Sequence, residues 1–320
     1  MMQRAKDFSK KCLKCQKHAL AVHQPSETLN SVISPWPFAK WGFDILGKLP
    51  VAKGGNCFIL VATDYFTSWM EAEAYVKVTQ FSVVSFIWKN IICRFGLPRA
   101  LTMDNGTQFN NPRVVEFCEQ HGIKVNFSPV YYPQANGMAE ATNKVLVNNL
   151  KRHLEGKKGG WLEELPKVLW AQRTTRKEAT GETPFSLVYG SEAVLPTEAG
   201  LPTTKTLIAE HEKENQGQLS RNLDLIEEVR ECAQIRRAAC QQKVRSYFNK
   251  RVKVRKFAPS EWVLRRIPEA QRDGKFGEQW EGPYEVLEDL GKGTYRLLNP
   301  KNGEEVPRTW NAQMLKKYYM

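Results

Sequence analysis

The sequence predicts an α/β fold, a mixed sheet with helices packed on it, followed by a small β-barrel. Three observations predict it. Residues 41–76 read as three strands separated by turn signals, and residues 80–154 alternate helical and strand periodicity. From Trp262 the pattern changes to short strands broken by Gly and Pro. The order of three strands, helix, strand, helix, strand, helix fits a five-stranded mixed sheet flanked by helices.

The first strand falls at Trp41–Leu46. Gly54-Gly55 marks a turn, Cys57–Thr63 is an apolar run of strand length, and Trp69–Val76 alternates; together they read as an antiparallel meander. Gln80–Phe95 spaces Phe81, Val84, Ile87, Trp88, Ile91 and Ile92 as a helix does and stops at Gly96-Leu97-Pro98. Arg99–Met103 is a short strand. Asn111 caps a helix opened by Pro112 and ending near Gln120. Ile123–Phe127 is the next strand and Gln134–Leu154 the next helix. Four short strands follow Trp262, at Trp262–Arg266, Tyr284–Leu287, Thr294–Leu298 and Thr309–Asn311.

A length of 320 residues suggests two or three domains. The net charge of +13 is unevenly placed. Residues 1–50 carry 8 Lys/Arg against 3 Asp/Glu and residues 241–320 carry 17 against 10, whereas the middle is nearly neutral. Basic ends around a neutral centre suit a polyanionic partner, although cationic ends alone would look the same. Seven cysteines without regular spacing argue against a disulfide framework. There is no N-terminal apolar segment, and the longest apolar stretch, near Cys57–Ala62, is far too short to span a bilayer. The expectation is a soluble intracellular protein with no membrane partner.

Three acids stand out. Asp44 lies on the first strand, Asp104 just past the fourth, and Glu140, after 35 intervening residues, in the last helix of the core. Acids at strand ends and on an adjacent helix can meet at one sheet edge, and Gly137 would let that helix approach the strands. Carboxylates so gathered can hold two divalent cations and drive in-line phosphoryl transfer. Each has an ordinary reading too: a surface Asp, an Asp-Asn-Gly turn, a solvated helix Glu. Asp64, on the second strand, reads as structural.

The strings around these acids carry a resemblance. Asp104-Asn-Gly-Thr-Gln-Phe109, Tyr132-Pro-Gln-Ala-Asn-Gly137, Trp170-Ala-Gln-Arg-Thr-Thr175, Thr183-Pro-Phe-Ser-Leu-Val-Tyr-Gly190 and Trp280-Glu-Gly-Pro-Tyr284 together resemble the integrase of a long-terminal-repeat retrotransposon of the Ty3/gypsy type. The resemblance implies a ribonuclease H-like catalytic core and an SH3-like barrel at the C-terminal end. It also implies catalysis by Asp44, Asp104 and Glu140 with two Mg²⁺ or Mn²⁺ ions, and insertion of element DNA into host DNA. The partners implied are double-stranded DNA and further copies of the chain, and the location is the nucleus after a cytoplasmic phase. The expected organisation is a remnant N-terminal module at 1–30, the catalytic core at 31–200, a helical connector at 201–256 and the barrel at 257–320. Two rivals are a non-catalytic nucleic-acid-binding relic and a ribonuclease H; the 35-residue gap disfavours the latter.

Lys144, four residues after Glu140, shares its helix face and is expected to contact DNA. Asn143, Lys151 and Arg152 are further DNA-binding candidates, as are Gln134 and Asn136 in the loop before the helix. The family places a His pair before the Cys12-x-x-Cys15 pair. Only eleven residues precede Cys12, none of them His, so a truncated remnant with free thiols is expected rather than a closed zinc site. In the connector, Leu219, Leu223, Ile226 and Ala233 mark one apolar face, and Leu162, Leu165, Val168, Leu169 and Trp170 read as helix core. The basic run 249–256 suits phosphate binding or nuclear import.

Overall fold

A computed structural model describes residues 8, 10–19, 34–128, 137–154, 159–196, 212–250, 252, 255–268, 277–291, 293–300 and 302–320. The chain divides into two compact units. One lies within Ser31–Ser128 and Pro133–Gln242; the other takes the described residues of Met1–Asn30 and Lys243–Met320.

The first unit is built on five strands: β1 (Lys40–Leu46), β2 (Phe58–Asp64), β3 (Met70–Tyr75), β4 (Ala100–Asp104) and β5 (Lys124–Ser128), in the order β3-β2-β1-β4-β5. The first three form the expected antiparallel meander. β4 then joins β1 in parallel and β5 joins β4 in parallel. Between β3 and β4, a helix α2 (Gln80–Phe86) starts on a Thr79–Ser82 capping box, runs through a π-helical stretch (Ile87–Ile92) and closes with Cys93–Phe95. α3 (Pro112–Gln120) is capped by Asn111, whose side chain accepts from the Arg113 N–H. α4 (Gly137–His153), α5 (Trp161–Thr174) and the short α6 (Pro184–Tyr189) follow.

The sheet is covered on both faces. One face buries Trp41, Phe43, Leu60, Leu101 and Met103 against α2 and α3. The other buries Ile59, Val61 and Met70 against Leu146 and Leu150 of α4 and Trp161, Leu165 and Val168 of α5. Trp170, expected in this core, is 39% exposed; α5 turns inward at 161, 165, 168, 169 and 172 instead. Arg173 explains much of the Trp170–Thr175 string. Its guanidinium donates to the Met70 carbonyl at 2.8 Å and pairs with Glu71 at 2.9 Å, and the buried Glu71 also takes the Trp69 indole N–H and Arg94, each at 2.8 Å.

The long α7 (Glu212–Asn249) meets the first unit through Ile226, Arg230, Ala233 and Arg237. Leu223, expected on its apolar face, is 60% exposed, and the Leu219 side chain lies outside the described residues. The inward stripe is half arginine: Arg230 donates to the Leu187 carbonyl at 3.0 Å, and Arg237 donates to the Tyr65 carbonyl and to the Ser68 hydroxyl. Apolar periodicity does not detect such a stripe, because long cationic side chains satisfy carbonyls from within it.

The second unit is a barrel of antiparallel strands: β6 (Trp262–Arg266), β7 (Trp280–Asp289), β8 (Thr294–Asn299), β9 (Glu304–Glu305), β10 (Trp310–Asn311) and β11 (Leu315–Lys317). Val263, Val286, Tyr295, Leu297 and Leu315 fill it. In the Gly-Pro-Tyr string, Gly282 has φ +121°, where a side chain would be strained and its Cβ would run into the Tyr284 ring at 2.9 Å. The N-terminal helix α1 (Leu13–Lys17) packs on this barrel. Gln16 exchanges two hydrogen bonds with the Tyr319 backbone, and the Trp280 indole donates to the Ala19 carbonyl at 2.7 Å. Among the described residues no helix is long and apolar enough to cross a membrane.

Candidate active site

Parallel pairing brings two of the three acids together. β1 and β4 pair as Lys40↔Ala100, Trp41↔Leu101 and Gly42↔Thr102, and Asp44 and Asp104 each lie two residues beyond the last of these pairs on their own strands. Partners in a parallel ladder point to the same face, here the face covered by α4 and α5. Asp104 is the last residue of β4 rather than the residue after it. It is exposed, and its carboxylate accepts the Gly106 N–H at 2.9 Å. A Cβ at Gly106 would sit 2.9 Å from that same oxygen, so the Asp-Asn-Gly turn needs a glycine to fold back on the acid.

Asp44 is half-buried and held at both oxygens. The Ile45 N–H donates to one at 2.8 Å, and the Asn143 side-chain amide donates to the other at 2.5 Å. Burial raises its carboxyl above the usual carboxylate range; the two hydrogen bonds pull it back, and the Asp104 charge pushes it further up. A half-buried carboxylate and an exposed one at neighbouring strand ends are a fit for a hard cation such as Mg²⁺ or Mn²⁺, which takes carboxylate ligands and keeps its remaining waters.

Glu140 lies on α4, one turn before Asn143, and its side chain lies outside the described residues. Gln134 and Asn136 also lie outside them. Among the described residues no group of three or more His, Cys, Asp or Glu is gathered as a metal cluster. Lys144, Lys151 and Arg152 are exposed on α4, open to a polyanion. Asn143 differs from its expected place: it is 4% exposed and faces Asp44 rather than solvent. Periodicity had no signal for this, since the contact joins residues 99 apart.

Cys12 and Cys15 are free thiols at α1, hydrogen-bonded to each other, which lowers Cys12 and raises Cys15. His18 lies just beyond, and His23 is outside the described residues.

Asp64 has a different task at the far end of β2. Fully buried, it accepts from the Phe38 N–H, the Thr67 N–H and the Thr67 hydroxyl, and so fastens the turn into β3. Burial pushes its carboxyl up to about 6. The native state therefore binds this proton more tightly than the unfolded chain, and the group's contribution is most favourable below the unfolded value of 3.8 and declines as pH rises to about 6. The stability difference between wild type and Asp64→Ala is expected to shrink by about 3 kcal/mol between pH 3.5 and 7. Urea unfolding of both proteins across that range measures it; a constant difference would contradict the assignment.

The integrase core domain family matches residues 35–133, and a family described as a domain of unknown function matches residues 257–319. The chain is 26% identical over 284 residues to the Gag-Pol polyprotein of avian reticuloendotheliosis virus, covering 88% of this chain and 23% of that protein. It is 22% identical over 319 residues to the transposon Tf2-3 polyprotein of Schizosaccharomyces pombe, covering 98% and 23%. The chain thus spans under a quarter of the length of these curated relatives. Among solved structures, the simian T-cell lymphotropic virus intasome in complex with the PP2A regulatory subunit B56 gamma matches with a TM-score of 0.59 at 16% identity, covering 100% of this chain and 92% of that one.

Proposed function

We propose, from the match of residues 35–133 to the integrase core domain family and from the ribonuclease H-like fold, that the chain is the integrase of a Ty3/gypsy-type retrotransposon, trimming the 3′ ends of element DNA and joining them to host DNA. The reading is supported by Asp44 and Asp104 lying just beyond the stretch where β1 and β4 pair in parallel, and by the bond to Asp44 from Asn143, one turn after Glu140 on α4.

Asp44, Asp104 and Glu140 would together hold two Mg²⁺ or Mn²⁺ ions. When bound, such ions supply an activated attacking oxygen and neutralise charge on the leaving oxygen. The chain's own contribution is positional. Ile45 and Asn143 fix the Asp44 carboxylate, Gly106 fixes that of Asp104, and the exposed Lys144 meets a DNA phosphate beside them. In trimming, a water oxygen forms the new bond to phosphorus and the 3′ oxygen leaves with a proton. In joining, the freed 3′-hydroxyl attacks a target phosphorus and the target's 3′ oxygen leaves. One phosphodiester replaces another, so no energy source is needed. Basic residues of α7 and the barrel add sequence-independent DNA affinity, and the reading carries with it self-association and a nuclear site of action.

The purified chain is expected to join a labelled duplex end to plasmid DNA in Mg²⁺ or Mn²⁺ and to stop when the ion is chelated. DNA binding without joining in either ion would replace this reading with that of a non-catalytic nucleic-acid-binding protein.

A further inference from the structure

Asn143 sits in an unusual balance. Its amide N–H is spent on one oxygen of Asp44 at 2.5 Å, while its own carbonyl oxygen is buried with no hydrogen-bond partner among the described residues. An unmet buried acceptor is destabilising. Turning the amide over would not help, because it would set the carbonyl oxygen against the Asp44 carboxylate, acceptor to acceptor. A charge-assisted bond to the carboxylate is the stronger interaction and fixes the orientation. The Ile45 N–H holds the other oxygen, so the plane of the Asp44 carboxylate is set from two sides. Asn143 is 4% exposed and its helix is anchored by Leu146 and Leu150 in the core, so the holding group is itself immobile.

We propose that Asn143 is a positioning residue that orients the Asp44 carboxylate for cation binding, and not a DNA contact. The inference rests on the catalytic reading above. Partners that orient a ligand set its affinity: their loss costs about 10–100-fold in metal binding or activity.

The test measures Mn²⁺ binding to the DNA-free full chain by electron paramagnetic resonance, with DNA affinity measured separately in chelator. Asn143→Leu keeps the buried volume and removes the donor; Asn143→Ser restores a short donor. The expected result is that Asn143→Leu weakens Mn²⁺ binding about 10–100-fold with DNA affinity unchanged, and that Asn143→Ser recovers part of the loss. If Asn143→Leu does not fold, Asn143→Ser alone decides, by weakened Mn²⁺ binding in a protein that melts cooperatively. Unchanged Mn²⁺ binding overturns the inference, and unchanged Mn²⁺ binding with weakened DNA affinity makes Asn143 a DNA contact. Wild-type protein that binds no Mn²⁺ defeats the catalytic reading itself, and the inference with it.

Discussion

Asp104→Asn is expected to abolish strand transfer while leaving DNA binding nearly intact. The substitution removes a charge from the pair formed with Asp44 and keeps the shape. Cation-assisted stabilisation of a phosphoryl-transfer transition state is worth several kcal/mol, so joining should fall by roughly 10³-fold or more. The fold should not suffer. Asp104 is exposed, and the amide oxygen of Asn can still accept the Gly106 N–H, so stability should stay within about 0.5 kcal/mol of wild type. Gel-based joining assays, paired with DNA-binding titrations in chelator, measure both sides of the claim. Joining at the wild-type rate would remove Asp104 from the catalytic centre.

Trp161→Ala is expected to destabilise the first unit by about 3–5 kcal/mol. The side chain is 1% exposed, packs with Ile59, Val61, Leu146 and Leu165, and donates its indole N–H to the Pro50 carbonyl at 2.7 Å. Truncation leaves a cavity and an unmet carbonyl together. Trp161→Phe refills most of the volume and should recover more than half of the loss. Since the same cluster seats Leu146 and Leu150 of α4 on the sheet, joining should weaken in Trp161→Ala even where the protein remains folded. Urea unfolding monitored by circular dichroism gives the stability change; a shift under about 1 kcal/mol would mean that α5 does not support this face.

Much of the core was legible because its signals are local. The meander of β1–β3 shows in turn residues and alternation, and Asn111 announces its helix with a cap and a proline. Asp104 could be singled out by its flanking string, and Asp44 as an acid on the first strand. What escaped was whatever depends on partners distant in sequence. The π-helical stretch Ile87–Ile92 has the same apolar spacing as an ordinary helix. Leu223 looked inward because it is apolar, yet α7 is seated by Arg230 and Arg237. Glu71 reads as an ordinary strand residue, and only the fold reveals that it pairs with both Arg94 and Arg173. Asn143 looked like a surface amide on a polar helix, and its bond to Asp44 spans 99 positions.

If the proposed function holds, the side-by-side placement of β1 and β4 also bears on when a nascent chain could act on DNA. A ribosome that has produced β1, β2 and β3 has released only one of the two facing acids, and the second arrives at the very end of β4. On the proposed reading, a polypeptide interrupted before that point lacks one of the carboxylates that would hold the ions. On that reading the ion-holding pair is complete only once a late strand slots in beside the earliest one.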